Sequence, residues 1–136
     1  ENSLKDLIKK RGLNKYFKFI RNYKNIFDLI NITDVLLLTS ITSEDFPNVV
    51  LEAMSLQKII ISSKIAGVPE QIKENKSGFL FDVGNSEELA VKIQQIFNKK
   101  LNLDNIRKNA LKRYRQYFSA EKSVNAYIQL YQKRNA

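Results

Sequence analysis

Two glutamates mark the stretch SEDFPNVVLEA (Ser43–Ala53): Glu44 lies four positions after Ser40, the end of the apolar run DVLLLTS, and Glu52, eight positions on, lies in a run of helical period. Pro47 suits the first turn of a helix, because its missing N–H is one the helix would leave free anyway. Asn48, Val49 and Val50 would then present unpaired backbone N–H groups, and such a helix start attracts an anion through those donors and the positive end of the dipole. Glu52 comes four residues after Asn48 and shares its helix face. Carboxylates repel phosphate, so their use must lie with neutral polar groups on either side of it. Each charge-assisted bond from a vicinal hydroxyl to a carboxylate contributes about 1.5 to 3 kcal/mol. Two acids flanking a diphosphate imply two diols, which is the form of a nucleotide sugar: ribose, diphosphate, hexose. The alternative leaves Glu44 a solvated loop acid and Glu52 a charge-balancing residue on a surface helix.

The elements that must position these residues alternate. FKFI (Phe17–Ile20), DVLLLT (Asp34–Thr39), KIIIS (Lys58–Ser62) and GFLFDV (Gly78–Val83) read as strands. Between them, NIFDLI from Asn25, VVLEAM from Val49, PEQIKE from Pro69 and a longer segment over Ser86–Asn98 carry helical period. Leu4, Leu7 and Ile8 share one face of a helix at the start of the chain. Strands apolar throughout, separated by helices, predict a parallel sheet covered on both faces, and right-handed crossovers make it an α/β, Rossmann-like, doubly wound unit. Ligands bind such sheets at the carboxyl ends of the strands, where Glu44 stands. After Asn98 the pattern is helical only, in DNIRKNALKRYRQYF and SAEKSVNAYIQLYQKR, with Ser119 able to cap the last helix.

Composition narrows the chemistry. With no Cys and no His among 136 residues, thiolates, imidazole bases, disulfides and nearly every zinc or copper site are excluded. No apolar run approaches the ~18 residues of a membrane span, which predicts a soluble, cytoplasmic protein. The net charge of +9 is uneven: residues 99–136 hold ten Lys or Arg against two acids, whereas residues 1–98 hold thirteen against twelve. One domain over residues 1–136 is expected, as an α/β body (1–98) and a basic helical tail (99–136). The tail is either a seat for an anionic surface or a solvated helix face. Arg107, Lys108, Lys112 and Arg115 fall near one helix face, yet no aromatic RNA-reading motif accompanies them, so no nucleic-acid partner is expected.

From Lys15 to about Tyr131 the chain resembles the C-terminal, donor-binding half of the GT-B retaining glycosyltransferases of family 4, the group 1 domain. The matching motifs are EDFPNVVLE, which carries the family's E-x7-E, followed by Ala53 and Met54; IAGVPEQI (Ile65–Ile72), like its G-[IV]-P-E; KSGFLFDVGNSEELAVKI (Lys76–Ile93), like its T-G-x-L strand and following helix; and Phe118-Ser119 with a later Tyr127 or Tyr131. There are departures. Gln57 and Ile59 replace the usual Gly and Pro after the EAM, and Arg21 stands where F-x-G has its glycine. The family's diphosphate-holding Arg and Lys, and its acceptor-binding N-terminal domain, would precede Glu1, so the chain is expected to be part of a longer protein and inactive alone.

By resemblance, Glu52 would hold the ribose hydroxyls and Glu44, the catalytic-site acid, would reach the donor sugar near the reacting carbon. Amides around Phe46, Asn48 and Val49 would contact sugar and phosphate, and Arg21 and Asn22 would border the nucleobase. Glu70 is expected to brace its helix. The resemblance implies a UDP- or GDP-linked sugar as substrate, no cofactor and no metal, with hexosyl transfer under retention to a glycan or lipid-linked acceptor in bacterial surface polysaccharide or glycoconjugate synthesis. It also implies peripheral contact with the inner face of the plasma membrane through the basic tail. A non-catalytic Rossmann-like regulatory or interaction module is the other reading.

Overall fold

A computed structural model describes residues 2–42, 44–98 and 101–134. Three strands, β1 (Val35–Leu38), β2 (Ile59–Ser63) and β3 (Phe79–Phe81), form one parallel sheet in that order. Val35 lies opposite Ile59 and Leu38 opposite Ser62, while Ile61 faces Phe79 and Ser63 faces Phe81. Parallel neighbours need crossovers, supplied by α3 (Asn48–Ser55) between β1 and β2 and by the single turn α4 (Val68–Gln71) between β2 and β3.

Alternation along the strands divides the core into two layers. On one face Ile60 and Leu80 pack with Val50, Ala53 and Met54 of α3, with Val68 and Ile72, and with Ala110. On the other, Ile59, Ile61, Phe79 and Phe81 meet Ile96 and Ile106. All five residues of β2 are buried, so the central strand is covered on both faces. Each fully buried isoleucine there contributes about 1.5 to 3 kcal/mol. The edge strand β1 differs: Leu37 is 46% exposed.

Local signals set the helix ends. Asn25 accepts from the Phe27 N–H at 3.2 Å to start α2 (Ile26–Asn31). Asn85 accepts from Glu88 at 3.0 Å at the head of α5 (Ser86–Phe97), and Asn102 from Asn105 at 3.1 Å at the head of α6 (Leu103–Arg113). Asparagine at these positions satisfies an N–H that the first turn leaves unpaired. The Ser119 hydroxyl accepts a longer bond, 3.4 Å, from Lys122 in α7 (Ala120–Arg134).

Three expectations need correction. FKFI is not a strand: residues 17–20 pair with no ladder, and Phe17, Phe19 and Ile20 are 42 to 52% exposed. β-propensity without a neighbouring strand leaves the backbone unpaired. The helix read at the start of the chain is present as α1 (Asn2–Lys10), with Ile8 buried and Leu4 and Leu7 exposed. The PEQIKE helix is confined to α4, since Ile72 is already extended at φ −104°, ψ 130°. Finally, the helix through DNIRKNALKRYRQYF widens at Tyr114–Phe118 into a π-turn, whose extra residue re-aims the side chains after it. Lys99 and Lys100, counted in the basic tail, lie outside the described residues. No helix among the described residues is long and apolar enough to cross a membrane.

Candidate functional site

The segment from the end of β1 to the head of α3 holds Glu44, Phe46, Asn48 and Val49, with Glu52 one turn further along the helix. Pro47 is the residue before the helix rather than its first member, with φ −64° and ψ 119°, and Asn48 opens α3. The shift of one position has a chemical consequence. Proline has no side-chain oxygen to cap the turn, and no side chain caps α3. The Pro47 carbonyl accepts from the Val50 N–H at 3.2 Å. Among the described residues the N–H groups of Asn48 and Val49 meet no acceptor, whereas α2, α5 and α6 are each capped by an asparagine.

Glu44 and Glu52 are both half-buried and stand on either side of those two donors along the chain. The Ser40 hydroxyl donates to Glu44 Oε1 at 2.8 Å. Glu52 continues α3, its carbonyl accepting from Leu56 at 3.2 Å and from the Ser55 hydroxyl at 2.7 Å. Asn48 is exposed, while the Val49 side chain packs against the core and leaves its N–H as its contribution to the site. Arg21 and Asn22 are exposed in the irregular segment before α2, Asn22 in the left-handed region at φ 52°, and among the described residues Asn22 makes no hydrogen bond to the 44–52 segment. Glu70 is exposed on α4.

The loop between Glu44 and Asn48 is held from below by residues remote in sequence. The Gly67 N–H donates to the Asp45 carbonyl at 2.8 Å, and the Gln71 amide nitrogen donates to the Pro47 carbonyl at 3.1 Å. Gln71 is completely buried. Gly67 also makes room for Phe46: a Cβ there would lie 2.6 Å from the ring and 2.7 Å from the Asp45 carbonyl. Phe46 in turn meets Phe118 edge-on, with ring centroids 5.7 Å apart. The Arg113 guanidinium lies 5.0 Å from the Tyr117 ring centroid and 5.5 Å from that of Phe118. The same guanidinium donates to the Gln71 carbonyl at 2.8 Å and to that of Glu70. Ser40, Gly67, Gln71, Arg113 and Phe118 are therefore supporting residues that reasoning from spacing missed. The G-V-P-E segment and the Phe118-Ser119 pair were the signals that pointed at part of this set.

Among the described residues no group of three acidic side chains is arranged to hold a metal ion. Among the described residues, two unpaired backbone donors at a helix N-terminus are flanked along the chain by two carboxylates; donors of that kind suit an anion, and carboxylates accept hydrogen bonds from hydroxyl groups.

Residues 1–113 match the sequence profile of the Glycosyl transferases group 1 family. The chain belongs to that family. This group 1 transferase chain is 28% identical over 125 residues to the N-acetyl-alpha-D-glucosaminyl L-malate synthase of Bacillus anthracis, covering 92% of itself and 32% of that protein. Over 78 residues it is 28% identical to the capsular polysaccharide biosynthesis glycosyltransferase CapM of Staphylococcus aureus, covering 57% of itself and 20% of CapM. In structure it is similar to HepE of Anabaena, solved in complex with UDP-glucose, with a TM-score of 0.88 at 28% identity, covering 98% of this chain and 36% of HepE. The architecture is that of the GT-B transferases, and the chain spans about a third of the length of the first relatives it matches.

Proposed function

We propose that this chain is the donor-binding portion of a retaining hexosyltransferase, and that it holds a nucleoside-diphosphate sugar at the head of α3. The observation that carries this reading is the uncapped start of α3, where the Asn48 and Val49 N–H groups lack acceptors between two half-buried carboxylates. The diphosphate takes those donors together with the amide of Phe46. Glu52 accepts from the ribose hydroxyls and Glu44 from the hydroxyls of the transferred sugar, while Arg21 and Asn22 border the base. The UDP-glucose complex of HepE supports a nucleotide sugar as the ligand class. The sugar nucleotide is the substrate, and no resident cofactor or metal enters.

In transfer, negative charge develops on the departing diphosphate while the sugar becomes oxocarbenium-like and meets the acceptor hydroxyl on the same face. Backbone donors fixed at a helix start stabilise that charge without reorganising at the moment of reaction. Glu44 places the sugar for that attack. The acceptor is a glycan or lipid-linked molecule of surface polysaccharide or glycoconjugate assembly, a reading supported by the likeness to CapM, and it is bound by a further domain of the longer protein; this chain alone does not catalyse transfer. The protein works in the cytoplasm at the inner face of the plasma membrane. There the open hollow of about 500 Å³ lined by Lys108, Lys112 and Arg115 faces anionic headgroups.

Titration with UDP, GDP and their sugar conjugates, following amide shifts from Glu44 to Glu52, tests the assignment. Localised shifts with one nucleotide support it. Glu52→Ala is expected to weaken nucleotide binding about tenfold to a hundredfold, through loss of one to two charge-assisted bonds. Unchanged affinity removes the ribose role.

A further inference from the structure

The carboxylate of Glu44 is built onto the sheet. Ser63, 1% exposed, ends the buried central strand β2 and stands opposite Phe81 of β3. Its hydroxyl donates to the carbonyl of Ser40 at 2.7 Å, across 23 positions of sequence. Ser40, two residues past the end of β1, donates its own hydroxyl to Glu44 Oε1 at 2.8 Å. Two short bonds thus run in series from the fully buried central strand to an acid in a loop. In the first half of that loop Ile41 and Thr42 are exposed.

We propose that Ser40, pinned through its carbonyl by Ser63, is a positioning residue that fixes the Glu44 carboxylate for the sugar of the donor. This rests on the sugar-binding reading of Glu44 given above. A glutamate in a loop has several freely rotating bonds, and freezing them when a ligand arrives weakens binding. A hydroxyl already bonded to Oε1 removes most of that freedom beforehand. Among the described residues no other hydrogen-bond donor reaches the Glu44 carboxylate, which leaves Oε2 to accept from a sugar hydroxyl. Because serine donates one hydrogen bond and keeps no charge, it orients the acid without neutralising it. Ser63 acts one step further back: its bond holds the backbone at Ser40, so that the Ser40 side chain points at Glu44 and not into solvent.

Positioning and plain loop stabilisation make different demands on ligand binding. Ser40 touches the acid assigned to the sugar and nothing assigned to the nucleotide. Its loss should therefore weaken a nucleotide sugar and leave the free nucleoside diphosphate alone.

The experiment measures dissociation constants, on the full-length protein, of UDP, GDP, UDP-glucose and GDP-mannose for wild type, Glu44→Gln, Ser40→Ala and Ser40→Thr, with thermal midpoints recorded for each. For the conjugate that wild type binds more tightly, Ser40→Ala is expected to raise the constant about tenfold, with the matching diphosphate changed less than twofold. Ser40→Thr, which retains the hydroxyl, is expected to restore the wild-type value. Equal weakening of conjugate and diphosphate, or a loss not restored by threonine, overturns the positioning role and leaves Ser40 a loop staple. Should Glu44→Gln weaken the conjugate while Ser40→Ala does not, only the role of Ser40 fails. If Glu44→Gln has no effect on the conjugate, or wild type binds none of the four, the donor-site reading itself fails and this inference with it.

Discussion

The guanidinium of Arg113 donates to the carbonyl of Gln71 at 2.8 Å, joining the end of α6 to the end of α4 across 42 positions of sequence. Gln71 is also the residue whose side chain holds the Pro47 carbonyl at the head of α3. Arg113 thereby supports the loop of the candidate site without touching it, with its flat face against Tyr117 and Phe118. Arg113→Ala removes both charge-assisted bonds and the ring contacts, and is expected to cost about 2 to 3 kcal/mol of folding stability. Arg113→Lys keeps the charge but cannot span two carbonyls with a planar fork, so its urea midpoint should fall between wild type and alanine. A lysine variant as stable as wild type would show that the forked geometry is immaterial.

Gly67 is required for space rather than for backbone freedom, since its φ of −77° suits any residue. An added methyl group would press on the Phe46 ring and on the Asp45 carbonyl, which is backbone and cannot swing aside. Gly67→Ala is expected to destabilise the fold by about 1 to 3 kcal/mol and to weaken nucleotide-sugar binding more than tenfold, because the displaced segment carries the α3 donors. Calorimetric titration beside thermal melting measures the two effects separately. Lost stability with undiminished affinity would show that the loop relaxes without moving its amides.

Asn85 both caps α5 and stands beside a second bond of the same corner, in which Glu88 accepts from the Asp82 N–H at 2.8 Å. Asn85→Ala leaves a helix N–H without its acceptor and should cost about 1 kcal/mol, or about 3 °C in melting temperature. Asn85→Asp keeps an acceptor at the same position and should melt within about 1 °C of wild type. Far-ultraviolet circular dichroism follows both variants.

Lys64 forms an exposed pair with Asp82 at 2.8 Å, and the hydrogen bond it donates to that carboxylate raises the lysine above its usual value of 10.5. A group whose folded value is raised stabilises the fold fully below its unfolded value and loses that effect as pH rises through the folded one. The stability difference between wild type and Lys64→Met should thus stay level from neutral pH to about pH 10 and shrink above it. Denaturant midpoints at closely spaced pH values measure this, and a difference that grows with alkalinity would contradict the pairing.

Much of the architecture was legible along the chain. The runs VLLL, III and FLF read as strands because they are short, apolar and rich in β-branched or aromatic residues between helical segments, and the asparagines at 25, 85 and 102 mark helix starts by local chemistry. Glu44 and Glu52 were likewise visible as two acids around a helix begun near a proline. FKFI misled because its residue types favour extended backbone, whereas a strand exists only where a neighbour supplies a ladder. The bonds from Ser40 to Glu44 and from Ser63 to Ser40 gave no signal, since serine after a strand is ordinary turn composition.

Residue types and their spacing were enough to determine the α/β alternation, the exclusion of thiol and imidazole chemistry, and the acids flanking a helix start, because period, propensity and side-chain chemistry act within a few residues. Only the tertiary structure decided that the α3 donors stay uncapped, that Gln71 and Gly67 hold the loop from beneath, and that β2 anchors Glu44 through two serines. The bonds from Ser63 to Ser40 and from Gln71 to Pro47 join positions 23 and 24 apart, and the packing of buried strands and turns brings them together where no local rule operates.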